Sequence, residues 1–168
     1  MQTGRIAETD RLRLGNAMSS RDPIPERWIA ETIQSYPPSA VPFLAGEGDP
    51  FRNPVGHTLR ESLTALFEQL QGDMDTDRIA TALDAIIRIR AVQDLTASQA
   101  VGFVFLLKPI LLELQPERNP VLLGVLLNER IDRLALMAFD KYMQCREQLA
   151  EIRVSEGRRR IHVRQVTG

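Results

Sequence analysis

Apolar residues recur every three to four positions along most of the chain, which is the spacing of helices that bury one side. Asn53 and Pro54 together form a helix-start signal, since asparagine caps well and proline suits the first helical position. An apolar stripe follows, until Gly72, at Val55, Leu59, Leu63, Leu66 and Leu70. No alternating strand pattern of any length occurs. The pattern predicts an all-α protein of about six helices.

Three segments follow from the same pattern. Residues 1–22 alternate charged and small residues, which is typical of a flexible N-terminal segment. Residues 23–156 hold the helical stretches and form the predicted domain. Its first helix carries Trp28 and ends at Pro37-Pro38. Residues 157–168 form a basic C-terminal tail, for which we favour a solvated helix end over a contact with nucleic acid.

A central helix begins at Thr96, where Thr96 and Gln99 have the spacing of a capping box. Residues 101–107 are apolar on all sides, as in a helix at the centre of a bundle. Pro109 follows within the helical pattern and is expected to kink or break the helix.

The longest predicted helix begins at Asn119-Pro120 and ends at Gly157. At 1.5 Å per residue it would span about 55 Å. A compact chain of this size measures only about 40 Å across, by the usual scaling of the radius of gyration. The helix should therefore protrude from the bundle.

Two faces of this long helix are apolar. One is a stripe with an average step near 3.6 residues that should face the core: Leu123, Leu127, Ile131, Leu134, Ala138, Tyr142, Cys145, Leu149 and Ile152. The other has heptad spacing and includes two acids: Leu122, Val125, Glu129, Asp132, Leu136, Phe139 and Met143. We expect the second face to form a homodimer interface. The alternative is that helices within residues 1–36 cover it.

A buried polar network is predicted at the end of the helical stretch that begins at Thr76 or Asp77. Four polar residues alternate there with apolar ones, so some of their polar groups should be buried and need partners. The polar residues are Arg88, Arg90, Gln93 and Asp94, and their apolar neighbours are Ile86, Ile87, Ile89 and Val92. Asp132 and Asp140 on the long helix are the expected partners. A structural salt-bridge network is favoured over a ligand site.

Composition narrows the function classes. A net charge of −1 argues against general binding of nucleic acid, and no stretch resembles a signal peptide or a membrane span, so we expect a cytoplasmic protein without membrane insertion. Cys145 is the single cysteine and should be a structural core residue. His57 and His162 lack a second ligand at metal spacing, and no catalytic motif is present. We expect no metal, no cofactor and no enzymatic activity.

Four separated phrases resemble the N-terminal domain of the RsbT co-antagonist proteins of the RsbRD type. They are residues 50–56, residues 88–94, residues 98–108 (through Ser98, Gln99, Ala100, Phe103, Phe105, Leu107 and Lys108), and residues 138–147. The similarity runs from about Trp28 to Glu156. It implies a globin-like helical bundle without haem, a dimer, and a sensory or regulatory role in stress signalling.

In stressosome relatives the last helix leads into a STAS domain, whereas this sequence ends at Gly168, so direct antagonism of a kinase or an anti-sigma factor is not expected. The leading hypothesis is a non-enzymatic, dimeric signalling domain that acts on an unnamed downstream regulatory protein through its C-terminal helix. The alternative is a small-molecule sensor. Its apolar cavity would lie between the central helix (Val101, Phe103 and Phe105) and the long helix (Leu134 and Ala138).

Overall fold

The computed structural model describes residues 23–46, 51–93, 95–114 and 120–166, with the backbone alone for 114, 120–126 and 159–166. Within these ranges the regular structure is entirely helical. The prediction of an all-α protein with a long C-terminal helix is confirmed. The segment 1–22 lies outside the described residues.

The helices follow one another with short connections. In chain order they are α1 (Ile24–Gln34), α2 (Val41–Ala45), α3 (Pro54–Gln71), α4 (Thr76–Ala91), α5 (Ala97–Val101), a 3₁₀ segment (Gly102–Leu106), α6 (Leu107–Leu114) and α7 (Pro120–Val166).

The start of α3 is fixed by a buried asparagine. Asn53 Oδ1 accepts a hydrogen bond from the Gly56 amide at 2.8 Å, and Asn53 Nδ2 donates to the Phe43 carbonyl at 2.6 Å. Asn53 therefore caps α3 and ties α2 to it. This confirms the predicted start of the helix.

The predicted capping box at Thr96 is also present. The Thr96 hydroxyl accepts from the Gln99 amide, and Gln99 Oε1 accepts from the Thr96 amide. These two bonds satisfy two amide groups that the first turn of α5 leaves without helical partners.

The core lies where α4 packs between α3 and α7, with α1 and the 3₁₀ segment closing one side. Its fully buried side chains include Trp28, Leu63, Leu66, Leu83, Ile86, Phe103 and Leu134. Arg130 of α7 adds a polar tie, since its Nη1 donates to the carbonyls of Leu70 and Gly72 at the end of α3 at 2.7 and 2.8 Å.

The central helix breaks earlier than predicted. The α-helical hydrogen bonds of α5 end at Val101, and the 3₁₀ segment intervenes before α6 begins at Leu107. Pro109 consequently lies in the first turn of α6, where its missing N–H has no helical acceptor to lose. The tighter 3₁₀ turn also changes which residues face outward.

The long helix extends further than predicted. α7 contains 47 residues and continues through Gly157 to Val166, which is about 70 Å. The core stripe is confirmed where its side chains are described from Leu127 to Cys145. Leu149 is half-buried against the core and Ile152 is exposed, so α7 leaves the bundle after Leu149.

Candidate functional site

The side of α7 that faces away from the bundle carries large exposed apolar side chains. Leu136 is 69% exposed, Phe139 45% and Met143 41%. Of the seven residues predicted as an interface, the side chains of Leu122 and Val125 lie outside the described residues. The others are all exposed: Glu129, Asp132, Leu136, Phe139 and Met143. We call these five residues the outward face.

One border of the outward face is formed by α6. Lys108 Nζ lies 2.7 Å from Asp132 Oδ1 and 5.5 Å from the centre of the Phe105 ring. The Phe105 ring is itself partly exposed, because the 3₁₀ segment turns it away from the core. Phe105 therefore adds apolar surface next to the outward face. The prediction that it lines a seam between the central and long helices is wrong.

The first helix does not cover the outward face. α1 packs against α2, α3, α6 and the 3₁₀ segment. The exposure of Leu136, Phe139 and Met143 shows that residues 23–36 leave the face open. Residues 1–22, the other part of the alternative cover, lie outside the described residues.

A second site surrounds Arg90 at the end of α4. Arg90 is completely buried, and its guanidinium carbon lies 4.5 Å from the centre of the Tyr36 ring and 5.4 Å from that of Phe103. Its Nη2 donates to Ser35 Oγ at 3.1 Å and to the Gln99 carbonyl at 2.9 Å. Four elements thus meet at one cation: α1, α4, α5 and the 3₁₀ segment.

Several polar atoms in this region are buried without a hydrogen-bond partner among the described residues. They are Nε and Nη1 of Arg90, Tyr36 Oη, Thr32 Oγ1 and Gln93 Oε1. Burial raises the pKa of the Tyr36 phenol, an effect that the nearby charge of Arg90 partly opposes. Tyr36 therefore stays protonated and can donate. Asp94 lies outside the described residues.

The expected pairing of the arginines with the long helix needs correction. Arg88 is exposed, and its Nε bonds Asp84 Oδ2 of the same helix at 2.6 Å. Asp132 pairs with Lys108, while Asp140 is exposed. The charged contact between α4 and α7 instead joins Asp84 to Lys141, with Oδ1 of Asp84 lying 3.5 Å from Lys141 Nζ. Arg88 and Arg90 therefore belong to separate environments.

Part of this arrangement could have been predicted from the sequence. Arg90 continues the buried stripe Ile79, Leu83 and Ile86 at helical spacing, whereas Arg88 does not. Asp84 precedes Arg88 by four residues, which is the spacing of an ion pair on one helix face. Sequence reasoning missed Ser35 and Tyr36, whose approach to Arg90 depends on how α1 packs.

Cys145 and His57 were the side chains considered for a chemical role. Cys145 is buried on the core stripe, and that burial, followed by the charge of Asp84, raises the pKa of its thiol. His57 Nε2 lies 3.2 Å from Glu61 Oε1 on α3. Within the described ranges no three His, Cys, Asp or Glu side chains are grouped as a metal site would require.

None of the described helices combines the length and apolarity that crossing a membrane requires. The family model for the RsbT co-antagonist protein rsbRD N-terminal domain matches residues 22–156. A search of curated proteins and a search of solved structures each returned no significant match.

Proposed function

The chain belongs to the family of RsbT co-antagonist protein rsbRD N-terminal domains, which are stressosome-type signalling and regulatory domains, and from this premise we propose how it acts. It is a non-enzymatic domain that forms a homodimer through the outward face of α7. The C-terminal part of the same helix then carries the regulatory signal away from the bundle.

The observation behind this proposal is the two-sided character of α7. The stripe from Leu127 to Cys145 is buried in the chain's own core, yet Leu136, Phe139 and Met143 are exposed on the opposite side. A helix that serves only its own bundle is polar on its outer side. Contiguous exposed apolar surface is typical of a site for a partner.

A second copy of the chain is the simplest partner for such a face. In a two-fold dimer the same patch is used twice, so each buried side chain contributes in both copies. Burying a Leu, Phe or Met side chain is worth about 1.5–3 kcal/mol. The heptad spacing of the face matches the packing of two long helices along each other.

The charges on the face are compatible with this arrangement. Asp132 is neutralised within its own chain by Lys108. Glu129 is exposed and makes no ion pair with a described residue, so it is the acid that opposes close approach of two copies. The dimer we propose is therefore of moderate affinity, as suits a domain that responds to a signal.

The projecting end of α7 supplies the route to a downstream partner. Beyond Leu149 the helix continues for about 25 Å, from the rise of an α-helix, with Ile152 and Val154 exposed. A change in how two copies pack at Leu136 and Phe139 would move these ends relative to each other. The downstream regulatory protein would read that movement.

Light scattering of the intact chain and of two variants tests the dimer. Met143→Glu introduces a charge in the outward face, whereas Gln144→Glu introduces it at an exposed position about 100° further around the helix. We expect a dimer for the intact chain and for Gln144→Glu, and a monomer for Met143→Glu. A monomeric intact chain, or a Met143→Glu dimer, would contradict the proposal.

A further inference from the structure

From the surroundings of Arg90 we infer that the end of α4 contains a binding site for a small, singly charged oxyanion of the size of formate or nitrate. The site lies in the bundle, away from the outward face of α7. The inference therefore does not depend on the dimer.

The first argument is the charge of Arg90. The guanidinium is completely buried, and among the described residues it forms no ion pair. Its acceptors are two neutral oxygens, Ser35 Oγ and the Gln99 carbonyl. A buried charge without a counter-ion is strongly unfavourable, and buried arginine is normally paired with an anion.

The fold offsets part of this penalty. The rings of Tyr36 and Phe103 lie within 4.5 and 5.4 Å of the guanidinium carbon and attract the cation electrostatically. Arg90 also lies in the last turn of α4, where a cation interacts favourably with the partial negative charge of the helix C-terminus. These contacts stabilise the cation, but Nε and Nη1 of Arg90 remain without an acceptor among the described residues.

The unfilled capacity indicates the chemistry of the ligand. Nε and Nη1 of Arg90 are buried donors without an acceptor among the described residues. Tyr36 Oη and Thr32 Oγ1 are further buried hydroxyls without a partner there. Arginine N–H groups bond oxyanions with favourable planar geometry, and protonated hydroxyls can donate to the same oxygens.

The aromatic neighbours limit the size of the ligand. Because the rings of Tyr36 and Phe103 occupy positions over the guanidinium, an acceptor has to approach it at its edge. The site is also enclosed by buried side chains, among them Phe103 and Trp28, which stacks on it. A compact planar anion meets both conditions, whereas a bulky organic anion does not. A bound water could satisfy a donor but would not balance the charge.

Thermal unfolding in sodium formate and in sodium nitrate tests the site, with sodium gluconate keeping the sodium concentration constant because gluconate is too large to be buried. A ligand that binds only the folded state raises the unfolding midpoint in a saturable, concentration-dependent way. At about a hundredfold excess over Kd the expected shift is about 5–10 °C.

Two variants separate this site from general salt effects. Ser35→Asp places a carboxylate where Ser35 Oγ now accepts from Arg90, so it should provide an internal counter-ion and abolish the response. Ser39→Asp adds the same charge at an exposed turn residue and should respond like the unmodified chain.

Titration calorimetry with formate provides a second readout, with heat of binding expected for the unmodified chain and Ser39→Asp and lost in Ser35→Asp. The inference is overturned if the unmodified chain shows no saturable response, or if Ser35→Asp responds equally. It is also overturned if only Asp94→Asn, which removes the acid four residues after Arg90 in the sequence, shows the response.

Discussion

Trp28 and Phe103 are joined twice across the core. The Trp28 indole Nε1 donates a hydrogen bond to the Phe103 carbonyl at 2.7 Å, and the two rings stack with centroids 6.2 Å apart and an interplanar angle of 18°. The contact connects α1 to the 3₁₀ segment. As a consequence, the Phe103 ring is held in place against Arg90.

Trp28→Phe should lower the free energy of unfolding. The Phe103 carbonyl would lose its buried donor, which costs about 1–3 kcal/mol, and the smaller ring would leave a cavity that adds to the loss. Urea unfolding measures the change. Phe43→Leu, at an exposed aromatic residue, is the control and should have a small effect. Equal losses in both variants would contradict the role given to the Trp28 bond.

Gly56→Ala should weaken the start of α3. A Cβ on residue 56 would lie 2.8 Å from both Cγ and Oδ1 of Asn53, which is closer than real contacts allow. The Asn53 side chain cannot move aside easily, since it is hydrogen-bonded to Gly56 and to Phe43. Loss of this cap should reduce the free energy of unfolding by about 0.5–2 kcal/mol, measured by urea unfolding. An unchanged value would show that the cap tolerates the methyl group.

Gly157→Ala should have the opposite effect. Gly157 lies inside α7, and a Cβ there would meet no atom within 4 Å. Alanine is favoured over glycine in a helix interior by about 0.5–1 kcal/mol. Because this part of α7 is outside the bundle, amide hydrogen exchange of the neighbouring residues is the suitable measurement. Exchange should slow about two- to fivefold, and unchanged rates would argue against a helix through Gly157.

Gly157 also shows why the predicted end of the long helix was wrong. A glycine opposes a helix by only about 1 kcal/mol, and the residues around it, from Glu151 to Arg160, are mostly good helix formers. Asn53 and Thr96 gave correct helix starts because each forms a local hydrogen bond that needs no tertiary partner. Local capping signals can therefore be read from the sequence more safely than a glycine can be read as a stop.

The Arg90 site shows the opposite limit. The burial of Arg90 follows from its place on the buried stripe of α4, and that stripe is visible in the helical spacing of the sequence. Its contacts with Ser35 and Tyr36 cross between α4 and the end of α1. Such contacts depend on the packing of whole helices, and the sequence predicted acids on the long helix instead. The burial of Arg90 could be predicted from its position, whereas its partners could not.

Asp84 should make stability depend on pH in the acid range. Burial disfavours its charge, but the hydrogen bond and charge of Arg88, followed by Lys141, hold its pKa below the ordinary value of 3.8. The ionised carboxylate therefore stabilises the fold fully above the unfolded pKa, and this contribution is lost as the pH falls through the lowered folded pKa.

Asp84→Asn should accordingly be less stable than the unmodified chain at neutral pH, and the difference should disappear in strong acid. Urea unfolding at a series of pH values measures it. Asp140→Asn, at an exposed acid of α7, is the control and should follow the unmodified chain throughout. A difference for Asp84→Asn that persists below the folded pKa would show that the carboxylate charge is not its cause.

Glu129→Leu should strengthen the proposed dimer. Glu129 interrupts the outward face with a charge that no described residue neutralises, whereas Lys108 neutralises Asp132. A leucine would remove this repulsion and add apolar burial worth about 1.5–3 kcal/mol in each copy. The dissociation constant, measured by analytical ultracentrifugation, should fall about tenfold or more. Glu151→Leu, at an exposed acid on α7 beyond the bundle, should leave it unchanged. If both variants associate equally, added apolar surface alone explains the effect, and the outward face loses its assigned role.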